Sequence, residues 1–305
     1  MTIANPIYDI VFKYLMEDLD IAKGILSTIL DVEIIELSMQ PQETLSETSS
    51  EVKTITVYRI DFAAIIKQSD GQTKKVLIEL QKTKRSTNAI RFRRYLAENY
   101  KKEDTIIENG LEIKRPLEII TIYLLGFELY KTPTAILHSK PYFYDLVNNV
   151  SAQYAHQEEF IKLLTHESYF IQIPRLEEST KTRIERVLSV FNQKFKSTDE
   201  HSLTYQLTEE DPLLQKMVNR LLRAIADDDM RRKMDLEDDI EREFSDFQNT
   251  IEQTRKALEQ NKVELAQNKQ VIEQKDKALE QKDKVLEQKD KELEALRLKI
   301  AALEK

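Results

Sequence analysis

The segment Arg59–Arg85, "RIDFAAIIKQSDGQTKKVLIELQKTKR", decides which fold the chain can adopt. Two runs rich in Ile, Leu, Val and Ala flank a polar stretch that contains Asp70–Gly71, a pair typical of tight hairpin turns. We therefore predict two antiparallel strands, over residues 58–66 and 75–81. The rest of a core must be built around this hairpin.

Each predicted strand carries one acid among apolar neighbours, Asp61 in the first and Glu79 in the second. Residues two apart in a strand share a face, so Glu79 and Gln81 project together. If the hairpin pairs in the matching register, the two carboxylates meet around one divalent cation. Carboxylates, a backbone carbonyl such as that of Leu80, and water form an oxygen site suited to Mg²⁺ or Mn²⁺. The competing interpretation places both acids at a sheet edge, facing solvent.

A cation held against a phosphodiester neutralises the phosphate, lowers the pKa of an attacking water and stabilises the leaving oxygen. The sequence after the hairpin supports a phosphate substrate, because residues 74–102 contain ten basic residues and only two acids. We predict that the following residues contact DNA: Lys82, Lys84, Arg85, Arg91 and Arg94. Strand alternation points Lys82 away from Glu79 unless a bulge redirects it. The alternative is an ordinary solvated helix face.

Composition limits the other possibilities. The 305 residues are 41% hydrophobic and 33% charged, with four glycines and seven prolines, which indicates a helix-rich globular protein. The chain has no cysteine, which excludes thiol nucleophiles and zinc–thiolate sites. A net charge of −8 argues against indiscriminate nucleic-acid binding but not against a local basic groove. We find no signal-peptide pattern and no apolar run near the roughly 18 residues of a membrane helix. We therefore expect a cytoplasmic protein with no membrane partner.

The order of predicted elements indicates an α/β fold with a mixed sheet. A helix begins near Asn5–Pro6, strands follow from Glu33, a basic helix covers residues 86–104, and "PLEIITIYLLGFEL" (116–129) forms a buried strand. We assign residues 1–130 to a core domain. Residues 131–245 then form a mostly helical extension packed on that core, with one further strand near "HESYFIQIPRL" (166–176).

Residues 246–305 form a heptad-repeat tail. Apolar residues occupy every a position: Ile251, Leu258, Leu265, Ile272, Leu279, Leu286, Leu293 and Ile300. The d positions are polar through most of the tail: Thr254, Asn261, Asn268, Lys275, Lys282 and Lys289, before Leu296 and Leu303. We predict a homo-oligomeric coiled coil, with a solvated single helix as the alternative.

Several motifs resemble, in order, those of the Rpn family of bacterial recombination-promoting nucleases and transposase-like proteins, part of the PD-(D/E)XK nuclease superfamily. The likeness spans roughly residues 5–245 and leaves out the tail. The matching motifs are "YDIVFKYLM" (8–16), "IDFAAII" (60–66), "VLIELQK" (76–82), "RFRRYLAENY" (91–100), "IITIYLLGF" (119–127) and "YFIQIPRL" (169–176).

This resemblance implies a restriction-endonuclease-like mixed central sheet flanked by helices, and a Mg²⁺-dependent DNA endonuclease linked to recombination or mobile DNA. It implies that Asp61 and Glu79 are metal ligands and that Asp9 is an auxiliary acid beside them. Gln81 stands where the superfamily usually has lysine, although Rpn-type sequences and some restriction enzymes also carry glutamine. A glutamine can orient water or bind phosphate, but it cannot supply a positive charge.

Three other interpretations remain open from the sequence. The chain is a catalytically inactive DNA-binding module that kept the nuclease fold, a coiled-coil scaffold, or a three-carboxylate transposase with an RNase H-like fold. The short spacing between Asp61 and Glu79 fits the last of these poorly.

Overall fold

A computed structural model describes residues 1–40, 58–68, 71, 73–84, 90–108, 111–207 and 211–303. The strands are β1 (Thr2–Ala4), β2 (Glu33–Met39), β3 (Tyr58–Lys67), β4 (Thr73–Thr83), β5 (Glu103–Glu108), β6 (Leu111–Pro116), β7 (Glu118–Leu125), β8 (Ile136–Ser139), β9 (Tyr144–Asp145), β10 (Val150–Ser151), β11 (Glu167–Gln172) and β12 (Ser202–Thr204). The α-helices are α1 (Asp9–Met16), α2 (Leu19–Leu30), α3 (Ile90–Tyr100), α4 (Glu159–Leu164), α5 (Arg183–Leu188), α6 (Pro212–Ile225) and α7 (Asp228–Leu303).

Within the described residues, six strands form a mixed central sheet in the order β2-β3-β4-β7-β11-β8. Strands β2, β3 and β4 are antiparallel neighbours, β7 and β11 run parallel to β4, and β8 is antiparallel to β11. The predicted β3–β4 hairpin is confirmed, and Gly71 in its turn has a φ of 83°, which favours glycine. Asp70 lies outside the described residues.

The two faces of the hairpin differ in what covers them. Even-numbered residues, such as Phe62 and Ile78, belong to one large core with apolar residues of α1, α2 and α6. Odd-numbered residues, which include Asp61 and Glu79, face the side on which α3 lies, because Asn99 of α3 bonds to Glu79. Helices therefore flank the sheet on both faces.

The N-terminal helix begins later than predicted. Residues 2–4 form β1, which pairs with β12, and α1 starts at Asp9 instead of at Pro6. The Asn5 side chain donates to Gln193 Oε1 and to the backbone carbonyl of Glu200, so tertiary contacts occupy the residue near which we expected the helix to begin.

The segment that we predicted as a mostly helical extension contributes two strands to the sheet, and one of them, β11 (Glu167–Gln172), is the strand that we predicted near residues 166–176. Strands β8 and β11 are neighbours in the central sheet, and β11 pairs with β7 along its whole length. Residues Met1–Ile240 form one compact unit. The β5–β6 hairpin was also missed, because its residues are too polar to resemble buried strands.

Residues Glu241–Lys305 form the second unit. Its described residues belong to the 76-residue helix α7, which ends at Leu303. Its described apolar a residues are all more than half exposed in the single chain, as a helix without a packing partner must be. Among the described residues, no helix combines the length and the apolar character needed to cross a membrane.

Candidate active site

Two acids lie directly opposite each other in the middle of the central sheet. Asp61 of β3 and Glu79 of β4 are paired in the antiparallel register, so their side chains project from the same face. Both side chains are fully buried. Two adjacent carboxylates destabilise each other through charge repulsion, so a buried pair needs positive charge or hydrogen-bond donors around it.

The end of α3 supplies part of that compensation. Asn99 Nδ2 donates to Glu79 Oε2 at 2.8 Å and lies 3.4 Å from Asp61 Oδ1. Lys102, two residues beyond the helix, places Nζ 3.1 Å from Asp61 Oδ2. The Lys102 side chain is about one-third exposed, so this ammonium group connects the buried carboxylates with solvent.

Gln81 completes the row of oxygen atoms on this face of β4. Its Nε2 donates to Glu79 Oε1. Its Oε1 is buried and has no hydrogen-bond partner among the described residues. A buried acceptor without a donor is costly, and a water or a cation bound there would remove that cost.

The neighbouring strands close the site with polar and aromatic side chains. Tyr123 of β7, opposite Gln81, stacks on Phe170 of β11 with ring centroids 5.0 Å apart. Phe92 of α3 contacts the same ring edge-on at 5.4 Å. Burial raises the pKa of the Tyr123 phenol, and the nearby Glu79 carboxylate raises it further. Tyr123 therefore remains neutral and can donate a hydrogen bond at physiological pH.

The donor set has the chemistry of a hard-cation site. The carboxylates of Asp61 and Glu79 and the unpartnered Gln81 oxygen are all oxygen ligands, the type that Mg²⁺ and Mn²⁺ prefer. Within the described part of the chain, no cluster of three or more His, Cys, Asp or Glu side chains is placed to share a metal ion. Any metal here would therefore depend on these two carboxylates, with amide, backbone or water oxygens as the remaining ligands.

Asp9 requires a correction. We predicted it beside Asp61 and Glu79, but its carboxylate binds Lys82 Nζ at 2.5 Å on the other side of the sheet. Strand alternation explains the difference, because Lys82 and Glu79 are three residues apart and point to opposite faces. Asp9 therefore forms a separate ion pair.

The predicted DNA contacts Lys82 and Lys84 also need correction. Lys82 is fully buried, donates to the Ile7 carbonyl, and has its pKa lowered by that burial although Asp9 opposes the shift. The Nζ atom of Lys84 lies 3.6 Å from the Tyr8 ring centroid and 3.5 Å from Glu237 Oε2. Both lysines stabilise the packing of α1 and do not form an open surface.

The remaining predicted DNA contacts fall on or before α3. Arg94 is exposed on α3, as is its neighbour Arg93. Arg91 lies on the same helix, but its side chain is outside the described part of the structure, and Arg85 lies outside the described residues.

We did not predict the contacts that Asn99 and Lys102 make with the acids. The sequence contains a pattern that could have indicated these contacts. Asn99 and Lys102 are three residues apart, a spacing that places their side chains on one side of a helical turn. The backbone N–H of Lys102 donates to the carbonyl of Asn99 at 3.1 Å, which continues the turn beyond α3.

No protein-family model, curated protein or solved structure gave a match to this chain. Its function is therefore inferred from the residues of the site and from the motifs in the sequence.

Proposed function

We propose that this protein is a metal-dependent DNA endonuclease of the Rpn type. The observation that carries the proposal is the buried cross-strand pair of Asp61 and Glu79, with the unpartnered oxygen of Gln81 on the same face. A globular protein rarely buries two adjacent carboxylates without a functional reason, because desolvation and repulsion both oppose it.

The order of elements also supports the proposal. Helix α2 leads into the antiparallel strands β2, β3 and β4, and α3 followed by the β5–β6 hairpin then connects β4 to the parallel strand β7. We propose that this unit is a restriction-endonuclease-like core, with the two acids on its central strands β3 and β4.

In this proposal, Asp61 and Glu79 hold one Mg²⁺ or Mn²⁺ ion, and Gln81 provides a further oxygen beside it. The bound ion would neutralise the phosphate and lower the pKa of the attacking water. Asn99 orients Glu79 through its 2.8 Å hydrogen bond. The catalytic proton acceptor is not assigned, because Gln81 cannot act as a base at neutral pH.

Lys102 supplies the cation that the superfamily's usual lysine would have provided at the position of Gln81. Its ammonium group is next to Asp61 and reaches solvent, where it can approach a phosphodiester. A fixed positive charge there stabilises the negative charge that develops on the phosphate oxygens in the transition state. Arg93 and Arg94 on α3 add positive charge for the DNA backbone.

The test is plasmid cleavage by the purified full-length protein with Mg²⁺, with Mn²⁺ and with EDTA. We expect supercoiled plasmid to be nicked or linearised with either metal and to remain intact in EDTA. Asp61→Asn, which keeps the shape of the side chain but removes its charge, should remove cleavage. A folded wild-type protein without cleavage in either metal would contradict the proposal.

A second candidate is a DNA-binding protein that has lost its catalytic activity. The observation that favours it is the direct bonding of Asn99 and Lys102 to the carboxylates, which compensates their charge without a metal. This candidate predicts DNA binding that weakens steeply with salt but no cleavage. A scaffold protein would show neither property.

A further inference from the structure

The tail carries an apolar stripe that is exposed in the single chain, and the tail sequence indicates what covers it. The described a residues of α7 are exposed in the single chain at every heptad. Several b and f positions are occupied by ion pairs within the helix, such as Glu280 with Lys284 at 2.9 Å and Glu287 with Lys291 at 2.8 Å. Those pairs lie away from the a and d positions, so they leave the stripe uncovered.

The d positions argue against a parallel pair of identical helices. In a parallel, in-register dimer each d residue faces its own copy. Lys275, Lys282 and Lys289 would then form three consecutive layers in which two ammonium groups meet. Such layers are destabilised by like charge, and nothing in the neighbouring a layers compensates for it.

The e positions show a charge pattern with a reversal in the middle. Arg255, Lys262 and Lys269 are basic, and the next three e residues are acidic: Asp276, Asp283 and Asp290. Among the described residues, these three aspartates form no ion pair within the chain. In an antiparallel pair, the e positions of the two helices face each other, so a block of cations can meet a block of anions.

We propose that two copies of this chain associate through an antiparallel coiled coil of their tails, in one particular register. In that register Arg255 faces Asp290 of the second copy, Lys262 faces Asp283, and Lys269 faces Asp276. Symmetry forms each of these pairs twice.

The same register also explains how the polar residues at the d positions can be accommodated. Each d residue now faces an apolar a residue of the second copy, for example Lys282 opposite Leu265 and Lys289 opposite Leu258. A lysine can pack its aliphatic stem against a leucine while its ammonium group reaches water. Ile251 faces Leu296, so both ends of the overlap are closed by apolar layers.

Neighbouring registers are disfavoured by like charge. A shift of one heptad in one direction brings Lys269 opposite its own copy, and a shift in the other direction brings Asp276 opposite its own copy, and each shift loses one of the three opposite-charge pairs. The charge blocks therefore favour both the antiparallel direction and this register, and this inference does not depend on the nuclease proposal.

Single-cysteine variants test the proposed antiparallel register directly, because the chain has no cysteine of its own. The proposed register places Thr254 opposite Leu293 of the second copy, close enough for a disulfide. We expect that neither Thr254→Cys nor Leu293→Cys, each as the full-length protein, forms a covalent dimer under mild oxidation. In the antiparallel dimer of Thr254→Cys, the two introduced thiols lie roughly 60 Å apart at 1.5 Å of rise per residue.

When the two variants are co-expressed with different tags, we expect a covalent heterodimer on a non-reducing gel, up to about half of the protein on statistical mixing. Cross-linking of either variant alone would show a parallel dimer and overturn the proposal. Absence of cross-linking in the mixture would also overturn it. Leu258→Cys with Lys289→Cys provides a second pair in the same register, should one of the first variants disturb the helix.

Discussion

Lys102 places its Nζ atom 3.1 Å from Asp61 Oδ2, across the space between the end of α3 and strand β3. This contact brings a positive charge to a pair of buried acids, and the strand of Glu79 has Gln81 two residues further on, where PD-(D/E)XK nucleases usually have lysine. The turn after α3, and not strand β4, therefore places a cation beside these acids.

Lys102→Met should lower the rate of plasmid cleavage by about a hundredfold, because it removes a charge that stabilises the transition state but keeps the aliphatic stem. Lys102→Arg should retain part of the activity. Lys101→Met is the matched control, since Lys101 is a neighbouring exposed residue paired with Glu98. Equal rates for Lys101→Met and Lys102→Met would show that Lys102 has no catalytic role.

Asn99→Asp should create a third carboxylate beside Asp61 and Glu79. Without metal, we expect the free energy of unfolding to fall by about 1–3 kcal/mol, because a hydrogen-bond donor is lost and a like charge is added. Added Mg²⁺ should recover that stability, since a ligand that binds only the folded state stabilises it. Thermal unfolding in EDTA and in Mg²⁺ measures both effects.

Asn99→Ala is the control for that experiment, because it loses the same hydrogen bond without adding a charge. Mg²⁺ should rescue Asn99→Asp more strongly than Asn99→Ala. Absence of stabilisation by Mg²⁺ in both variants would show that no metal binds at these carboxylates.

The ionisation of Tyr123 should report the charge on Glu79. Burial is the main cause of its raised pKa, and the Glu79 carboxylate contributes to it. Glu79→Gln should therefore lower the pKa of Tyr123 towards, but not below, the ordinary value of about 10. Tyrosinate absorbance during alkaline titration measures this pKa. The Tyr123→Phe variant shows which part of the absorbance change comes from Tyr123.

The sign of the corresponding stability effect follows from the raised pKa. The contribution of Tyr123 to the free energy of unfolding is fully present below the unfolded-state pKa of about 10, and it is lost as the pH rises through the higher folded-state value. In Glu79→Gln this loss should be smaller than in the wild type and should be complete at a lower pH, because only the folded-state pKa changes. An unchanged pKa of Tyr123 in Glu79→Gln would contradict the placement of these two groups.

The ion pair of Asp9 and Lys82 should be structural. Asp9→Ala leaves a fully buried lysine without its carboxylate, and we expect the free energy of unfolding to fall by about 3–5 kcal/mol. Lys82→Met should cost less, because methionine fills a similar space and Asp9 can reach water. Urea denaturation compares the two variants.

DNA binding should not change in folded Lys82→Met, since Lys82 is buried on the face opposite the site. A loss of DNA affinity in this variant, with an unchanged unfolding curve, would restore our first assignment of Lys82 as a DNA contact.

The central hairpin was predictable from the sequence because its signals are local. Apolar runs, the turn around Gly71 and the spacing of Asp61 and Glu79 are all contained within one short segment. The start of strand β2 at Glu33 was also predicted. The long tail helix follows from a repeat that needs no tertiary information.

One feature that we did not predict is local: the Asp18 side chain caps α2 by accepting from the N–H groups of Asp20 and Ile21, and this cap divides what we expected as one helix. The others depend on contacts between distant segments. The position of Asp9 is fixed by Lys82, and the orientation of α3 by packing across the sheet. Resemblance placed Asp9 in the site, whereas the alternation of β4 places its partner on the other face.

The most direct measurement compares Mg²⁺-dependent plasmid cleavage by Glu79→Gln and by Glu98→Gln. Both variants replace a glutamate by its amide, but Glu79 lies in the buried pair and Glu98 is a partly exposed residue of α3. We predict that Glu79→Gln cleaves at least about a hundredfold more slowly than the wild type, as expected for loss of a metal ligand, while Glu98→Gln cleaves normally. Equal cleavage by a folded Glu79→Gln protein and the wild type would contradict the assignment of the Asp61–Glu79 pair as the active site.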